Sequence, residues 1–302
     1  MVVVVVILIV ISVIVLRALL PRAALFVADM VSSMPPKLGG TRAWSQFRGF
    51  HARLTERYPR FAAVIAQRID PHRPTGLLLT LMVVAALYLS AQFSGLTEDI
   101  LEAQGTIRSD NMINDALGPW RIEPFASAFL WITNLGSTPA IVAAVIIATG
   151  FLWPQRGTYI VVSLWITCLG AVATTSIGKL LVGRHRPDIM LGVQATGWSF
   201  PSGHATAAMA VYGFIAYAIA RALPSFRARF EIAYWAAVLI VLIGFSRIFL
   251  GVHYVTDVLG GFMVGGFWLL VGFGIAEWKH PSSTAAISRS ERRSRAVREE
   301  NH

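Results

Sequence analysis

The sequence predicts an all-α integral membrane protein with a six-helix transmembrane core and an additional N-terminal hydrophobic helix. Of its 302 residues, 55% are hydrophobic and only 14% are charged, which is too apolar for the surface of an ordinary soluble domain. Six uncharged runs, Thr75–Thr97, Phe125–Trp153, Gly157–Gly178, Ala205–Ala220, Ile232–Ser246 and Val258–Ala276, stand out along the chain. Each is long enough, or nearly so, to cross about 30 Å of hydrocarbon as a helix of about 20 residues. The basic residues behind a formal charge of +10 cluster between these runs. That placement speaks for inner-leaflet electrostatics, so no nucleic-acid partner is expected.

The fourth and fifth runs are short, and each is bounded by a residue suited to chemistry, His204 and Arg247. The helices there are expected to run past the charge. Ahead of the core, Met1–Leu16 is rich in Val and Ile and is followed by Arg17 and Arg22. It lacks the basic start and small-residue cleavage site of a signal peptide, so residues 1–24 are expected to form an uncleaved hydrophobic helix. Residues 25–74 read as a basic cytoplasmic linker broken by Pro35-Pro36, Gly39-Gly40, Pro59, Pro71 and Pro74. Residues 75–278 are the core, and 279–302 form a Ser/Arg/Glu-rich tail expected to be disordered. The single cysteine, Cys168, lies in an apolar run and permits neither an intrachain disulfide nor a Cys-based metal site.

If six helices alternate, the arginine-rich linker, Arg156, the Arg221–Arg229 turn and the basic tail all fall on one side, which should be cytoplasmic. The loop Glu98–Glu123 on the other side is acid-rich. Two further outer loops, Arg184–Gly203 and Arg247–Asp257, hold basic residues against the rule.

The exceptional polar residues of the chain lie in and beside those two loops. They fall in three stretches: Lys179-Leu-Leu-Val-Gly-Arg-His-Arg186-Pro187, then Pro201-Ser202-Gly203-His204, then Ser246-Arg247 through His253 to Asp257. All three lie at one membrane face by the helix count. Lys179, Arg186 and Arg247 supply three cations for an oxyanion, and arginine's planar fork suits phosphate oxygens. Ser202 and Gly203 precede a helix whose first N–H groups are unpaired and point outward. His253 and Asp257 are four apart, so on a helix the carboxylate can hold one imidazole N–H and leave the other nitrogen free to attack. His204 sits where a protonated imidazole can donate to a departing oxygen.

These stretches resemble the signature of the type 2 phosphatidic acid phosphatase (PAP2) superfamily, which also includes vanadium haloperoxidases. The pattern is Lys, six residues, Arg-Pro; Pro-Ser-Gly-His; and Ser-Arg, five residues, His, three residues, Asp. Every fixed position is matched. Pro-Ser-Gly-His alone would arise by chance in about 10⁻³ of chains this long at residue frequencies of about 5%, and the two longer patterns follow in order. The resemblance covers the core from about Pro74 to Glu277. It implies a phosphatase in which His253 is the nucleophile, Asp257 its orienting partner and His204 the general acid. It further implies that Lys179, Arg186, Ser202, Gly203 and Arg247 bind the phosphoryl oxygens, with no cofactor and no metal ion. The substrates implied are lipid phosphates or pyrophosphates, of the undecaprenyl pyrophosphate, phosphatidate, phosphatidylglycerophosphate or lipid A type. The site would then open on the extracytoplasmic face, of the inner membrane if the cell is bacterial.

Each residue also has an ordinary explanation. Lys179, Arg184 and Arg186 could snorkel at a helix end, but snorkelling requires neither Pro187 nor the spacing to Lys179. Arg184 and His185, not fixed in the pattern, read as a solvated rim, with a headgroup contact as the alternative, and Asp188 reads as an arginine partner. Trp120, Trp131, Trp153, Trp198 and Trp278 fall near span ends, as an interfacial belt would. Gly260, Gly261, Gly265 and Gly266 read as close helix packing. A broad phosphatase for soluble phosphoesters, a haloperoxidase and a transporter or scaffold remain the alternatives. The last predicts charges at mid-depth, where the runs are apolar.

Overall fold

The computed structural model describes residues 12–22, 76–102, 106–189, 191–193 and 195–278, and no strand occurs among them. The linker and the tail expected from the sequence lie outside the described residues, as does most of the N-terminal run. By internal contacts the chain divides into two compact units, one of residues 1–67 with Ile219–Trp235 and the other of residues 68–218 and 236–302. In the first, residues 12–22 form helix α1. Arg17 pairs with Glu231 at 2.8 Å and sits over the ring of Trp235, while the Tyr234 hydroxyl donates to the Val13 carbonyl.

The second unit carries α2 (Leu77–Glu102), α3 (Thr106–Leu117), α4 (Phe125–Asn134), α5 (Thr138–Arg156) and α6 (Thr158–Val182). It is completed by most of α7 (Gly203–Ala220), the second half of α8 (Phe226–Phe249) and α9 (Val255–Trp278). Six of these helices, α2 and α5 through α9, are long and apolar enough to span a bilayer. Leu87, Ile147, Phe151, Leu180 and Leu181 point outward and are exposed. That is what helices without a polar face require when lipid is the solvent.

The second apolar run is not one helix. It breaks at Leu135-Gly136-Ser137, leaving α4 as a short outer segment and α5 as the span. Ser137 is extended (φ −70°, ψ 155°) and Pro139 sits in the first turn of α5, where its missing N–H costs nothing. Gly136 is needed there because a Cβ would lie 2.6 Å from Ile243 and 3.0 Å from the His204 ring. The short fourth and fifth runs do extend as expected: α7 begins at Gly203 and includes His204, and α8 continues through Arg247 to Phe249. One turn of α7, Ala208–Tyr212, is widened to π-type bonding.

Helix α9 organises the unit. Its buried face repeats every three or four residues: Gly260, Gly261, Val264, Gly265, Leu269, Gly272 and Ala276. A Cβ on Gly261 would come 2.7 Å from the Ser202 carbonyl, and one on Gly265 would come 2.6 Å from that of Thr206. The start of α7 therefore rests directly on the α9 backbone, which only small residues allow. Gly261→Ala is expected to cost about 1–3 kcal/mol by overpacking against backbone that cannot move aside. Thermal unfolding in detergent should show a lowered midpoint for it, and an unchanged midpoint would contradict this packing.

Candidate active site

The three polar stretches meet at one end of the second unit. They border a cavity of about 850 Å³ whose polar lining includes Lys179, Arg186, Gly203, His204, Arg247 and His253. Its walls continue along α5, α6 and α7 as Val142, Cys168, Val172, Ala210 and Val211. The result is a charged head with an apolar flank.

Local chemistry delivers each group. Helix α6 carries Lys179 in its last turn and ends at Gly183, whose left-handed φ of 61° turns the chain and returns its N–H to the Lys179 carbonyl. Arg186 then ties the following loop together by donating to the carbonyls of Gly197 at 3.0 Å, Trp198 at 3.2 Å and Val252 at 2.8 Å. The Phe200–Pro201 peptide is cis. Ser202 is the N-cap of α7, and its own N–H is taken by the Asp257 carbonyl at 2.9 Å. The first helical bond runs from the Thr206 N–H to the Ser202 carbonyl, so Gly203, His204 and Ala205 carry the unpaired N–H groups of the helix start. The Cα face of Gly203 looks toward Lys179, whose Nζ would stand 4.0 Å from a Cβ built there.

Gly251, at φ 68°, makes the turn from α8 to α9 and so presents His253. The His253 side chain is buried, with Nδ1 3.3 Å from Asp257 Oδ2 and Nε2 3.1 Å from Nη1 of Arg186. A guanidinium N–H can only donate, so Nε2 accepts, and the proton belongs on Nδ1 facing the carboxylate. Burial pushes the His253 imidazole down to about 4, against the pull of Asp257, and the nearby Arg186 and Arg247 push the same way as burial. The unprotonated nitrogen faces the cavity. His204 lines the same cavity from the start of α7.

Arg247 Nη1 donates to the Thr133 hydroxyl at 2.6 Å. The Arg247 Nε, the Ser202 hydroxyl and the Thr175 hydroxyl are buried without hydrogen-bond partners. Buried donors left unmatched are costly, and all three lie at or beside the cavity that Lys179, Arg186 and Arg247 line. The structure thus brings together all eight residues singled out from the sequence, with Ser202 and Asp257 adjoining the cavity rather than lining it.

A family model described as "PAP2 superfamily" matches residues 159–281, which include every one of those eight residues. Phosphatidylglycerophosphatase B of Bacillus subtilis is 32% identical over 205 residues, 67% of this chain and 95% of that protein. The chain belongs to the PAP2 superfamily. A lipid A 4′-phosphatase of Bacteroides thetaiotaomicron is 28% identical over 177 residues, covering 53% of this chain and 71% of that protein. The crystal structure of a transmembrane PAP2-type phosphatidylglycerolphosphate phosphatase from Bacillus subtilis superposes with a TM-score of 0.60 at 30% identity, covering 64% of this chain and 96% of that one. This PAP2 protein is an integral membrane phosphatase, a hydrolase of phosphoric monoesters.

Sequence reasoning missed part of the PAP2 site. Arg184 is not on a solvated rim: its side chain is only 8% exposed and pairs with Asp110 and Asp257. Asp188 is exposed, and those two carboxylates take the place of the pairing expected for it. Thr133 was hidden because it lies in the run that breaks. Thr175, one helical turn before Lys179, was findable by its spacing. The stretch between α3 and α4 also caps α8: Arg121 donates to the carbonyls of Phe249 and Ile248 and to Asn114 on α3.

Inorganic phosphate should therefore raise the melting midpoint, by an amount equivalent to about 2.7 kcal/mol at 100 times its dissociation constant. Arg247→Gln should abolish the shift. Equal shifts in both proteins would place the anion elsewhere.

Proposed function

We propose that this PAP2 phosphatase hydrolyses a lipid phosphate through a phosphohistidine on His253. The observation that carries the reading is the pairing of a buried His253–Asp257 couple, whose unprotonated Nε2 meets the cavity-lining Arg186, with buried donors of Arg247 and Ser202 that have no partner. As phosphate enters, Nη1 of Arg186 exchanges its bond to Nε2 for one to a phosphoryl oxygen. Nε2 then attacks phosphorus while the bond to the leaving oxygen breaks, and protonated His204 gives that oxygen its proton. Asp257 stabilises the Nδ1–H of the imidazole as positive charge grows on it. Neutral His204 next takes a proton from water, whose oxygen attacks the phosphohistidine and releases phosphate and free His253. Lys179, Arg186 and Arg247 carry the charge that Mg²⁺ carries in many other phosphoryl transfers.

The apolar flank of the cavity suits a substrate whose tail stays in lipid, and relatives named for phosphatidylglycerophosphate and lipid A support a lipid phosphomonoester. Phosphatidylglycerophosphate is the first candidate; phosphatidate and undecaprenyl pyrophosphate follow. The arginine-rich segments on the opposite side support an active site that faces away from the cytoplasm.

Purified protein in EDTA should release phosphate from phosphatidylglycerophosphate, and His253→Ala should leave almost no activity. Water-soluble phosphoesters turned over as fast as tailed ones would favour the broad-specificity reading instead. The pH profile of kcat/KM gives a second check, since it reports groups of the free enzyme. With His253 held down to about 4, its free base persists well below the ordinary histidine value of about 6.5. No acid limb from His253 should therefore appear until the pH nears that lower value. A phosphomonoester itself titrates at about 6, so the contradicting result is an acid-side loss near the ordinary histidine value that stays in place when the substrate's own phosphate pKa is changed.

A further inference from the structure

A nucleophilic imidazole is only as well aimed as the carboxylate behind it. Oδ2 of the fully buried Asp257 meets His253 Nδ1 and accepts the Tyr254 N–H at 2.9 Å. Oδ1 accepts from Nη1 of Arg184 at 2.6 Å. The other arm of the same guanidinium, Nη2, lies 2.8 Å from Asp110 on α3, and the two side chains are only 8% and 2% exposed. Nη1 also donates to the Thr256 hydroxyl at 2.6 Å, and the ring of Tyr254 packs 4.3 Å from the guanidinium carbon. Asp110 closes the circuit by accepting both the N–H of Thr256, at 3.2 Å, and its hydroxyl.

We propose that Arg184 is a positioning residue for the hydrolysis: it clamps the Asp257 carboxylate against His253, and Asp110 holds Arg184 in place. The inference rests on the reading of His253 as nucleophile. Arg184 bridges two buried carboxylates with opposite arms of one planar fork, a reach that the point charge of lysine does not have. It also offsets a negative charge on each, which burial would otherwise make costly. Neither Arg184 nor Asp110 lines the cavity, so neither is placed to bind substrate. The sequence offers no hint of this clamp, because Asp110 lies outside the three motif stretches, in what reads as an acidic outer loop.

The test is steady-state kinetics of the full chain in detergent on phosphatidylglycerophosphate, with inorganic phosphate as a competitive inhibitor. Arg184→Gln should lower kcat about 10–100-fold, the scale seen when a group that orients a reacting ligand is removed, with KM and the phosphate inhibition constant within about 2-fold of wild type. Arg184→Lys should recover part of the loss, and Asp110→Asn should lower kcat by a smaller factor. The deciding comparison is non-additivity. In an Asp257→Asn background, Arg184→Gln should cost less than about 3-fold more, because its effect passes through the carboxylate already removed. The full loss persisting in that background would overturn the proposal, as would wild-type kcat in Arg184→Gln. Should Arg184→Gln not fold, Arg184→Lys and Asp110→Asn carry the same cycle with the same two outcomes. His253→Gln separates the levels: if it stays active, the nucleophile reading fails and this proposal with it. If it is inactive while Arg184→Gln runs at the wild-type rate, the clamp alone fails.

Discussion

The buried carboxylate of Asp257 is the constraint around which the site end of the second unit is built. A carboxylate with no exposure stays ionised only when hydrogen bonds and positive charge replace the water it has lost. Here the replacements come from separate parts of the chain: the backbone of Tyr254, the ring of His253 and the guanidinium of Arg184. Its backbone carbonyl meanwhile accepts the N–H of Ser202, which fixes the start of α7. One residue therefore sets the aim of the imidazole and the place of the helix that bears His204.

That convergence depends on close backbone approach, and the glycines of α9 provide it. Gly261 and Gly265 leave no side chain between α9 and the first turns of α7, so Ser202 and Thr206 carbonyls sit where a methyl group would otherwise be. Gly136 plays the same part for the turn after α4, which passes against the His204 ring and brings Thr133 to Arg247. In lipid there is no hydrophobic force pressing helices together, so fit and polar contacts must hold them.

Three cations sharing one cavity repel one another, and burial adds to the cost. Arg186 spreads its donors over loop carbonyls and Arg247 leans on Thr133, while the buried Nε of Arg247 and the hydroxyl of Ser202 stay unmatched. On the proposed reading, an anion entering the cavity relieves both the mutual repulsion of the cations and the unmatched donors.

The sequence by itself determined the membrane class, the six spans and eight residues that the structure gathers at or beside one cavity. Those rest on local rules: apolar length against bilayer thickness, an i,i+4 pair on one helix, and fixed spacings in three short stretches. It determined too that the short fourth and fifth runs continue through His204 and Arg247, since a helix end that bears chemistry need not be apolar. Only the tertiary structure decided that the second run breaks around Gly136, because what crowds that glycine is Ile243 and the His204 ring, both far along the chain. It alone decided that Arg184 is a buried bridge and that Asp110, in an acidic outer loop by sequence, faces inward to meet it. Charge pairing between residues 74 positions apart leaves no trace in periodicity or spacing. It exists only once helix packing has excluded the water that would otherwise satisfy each partner.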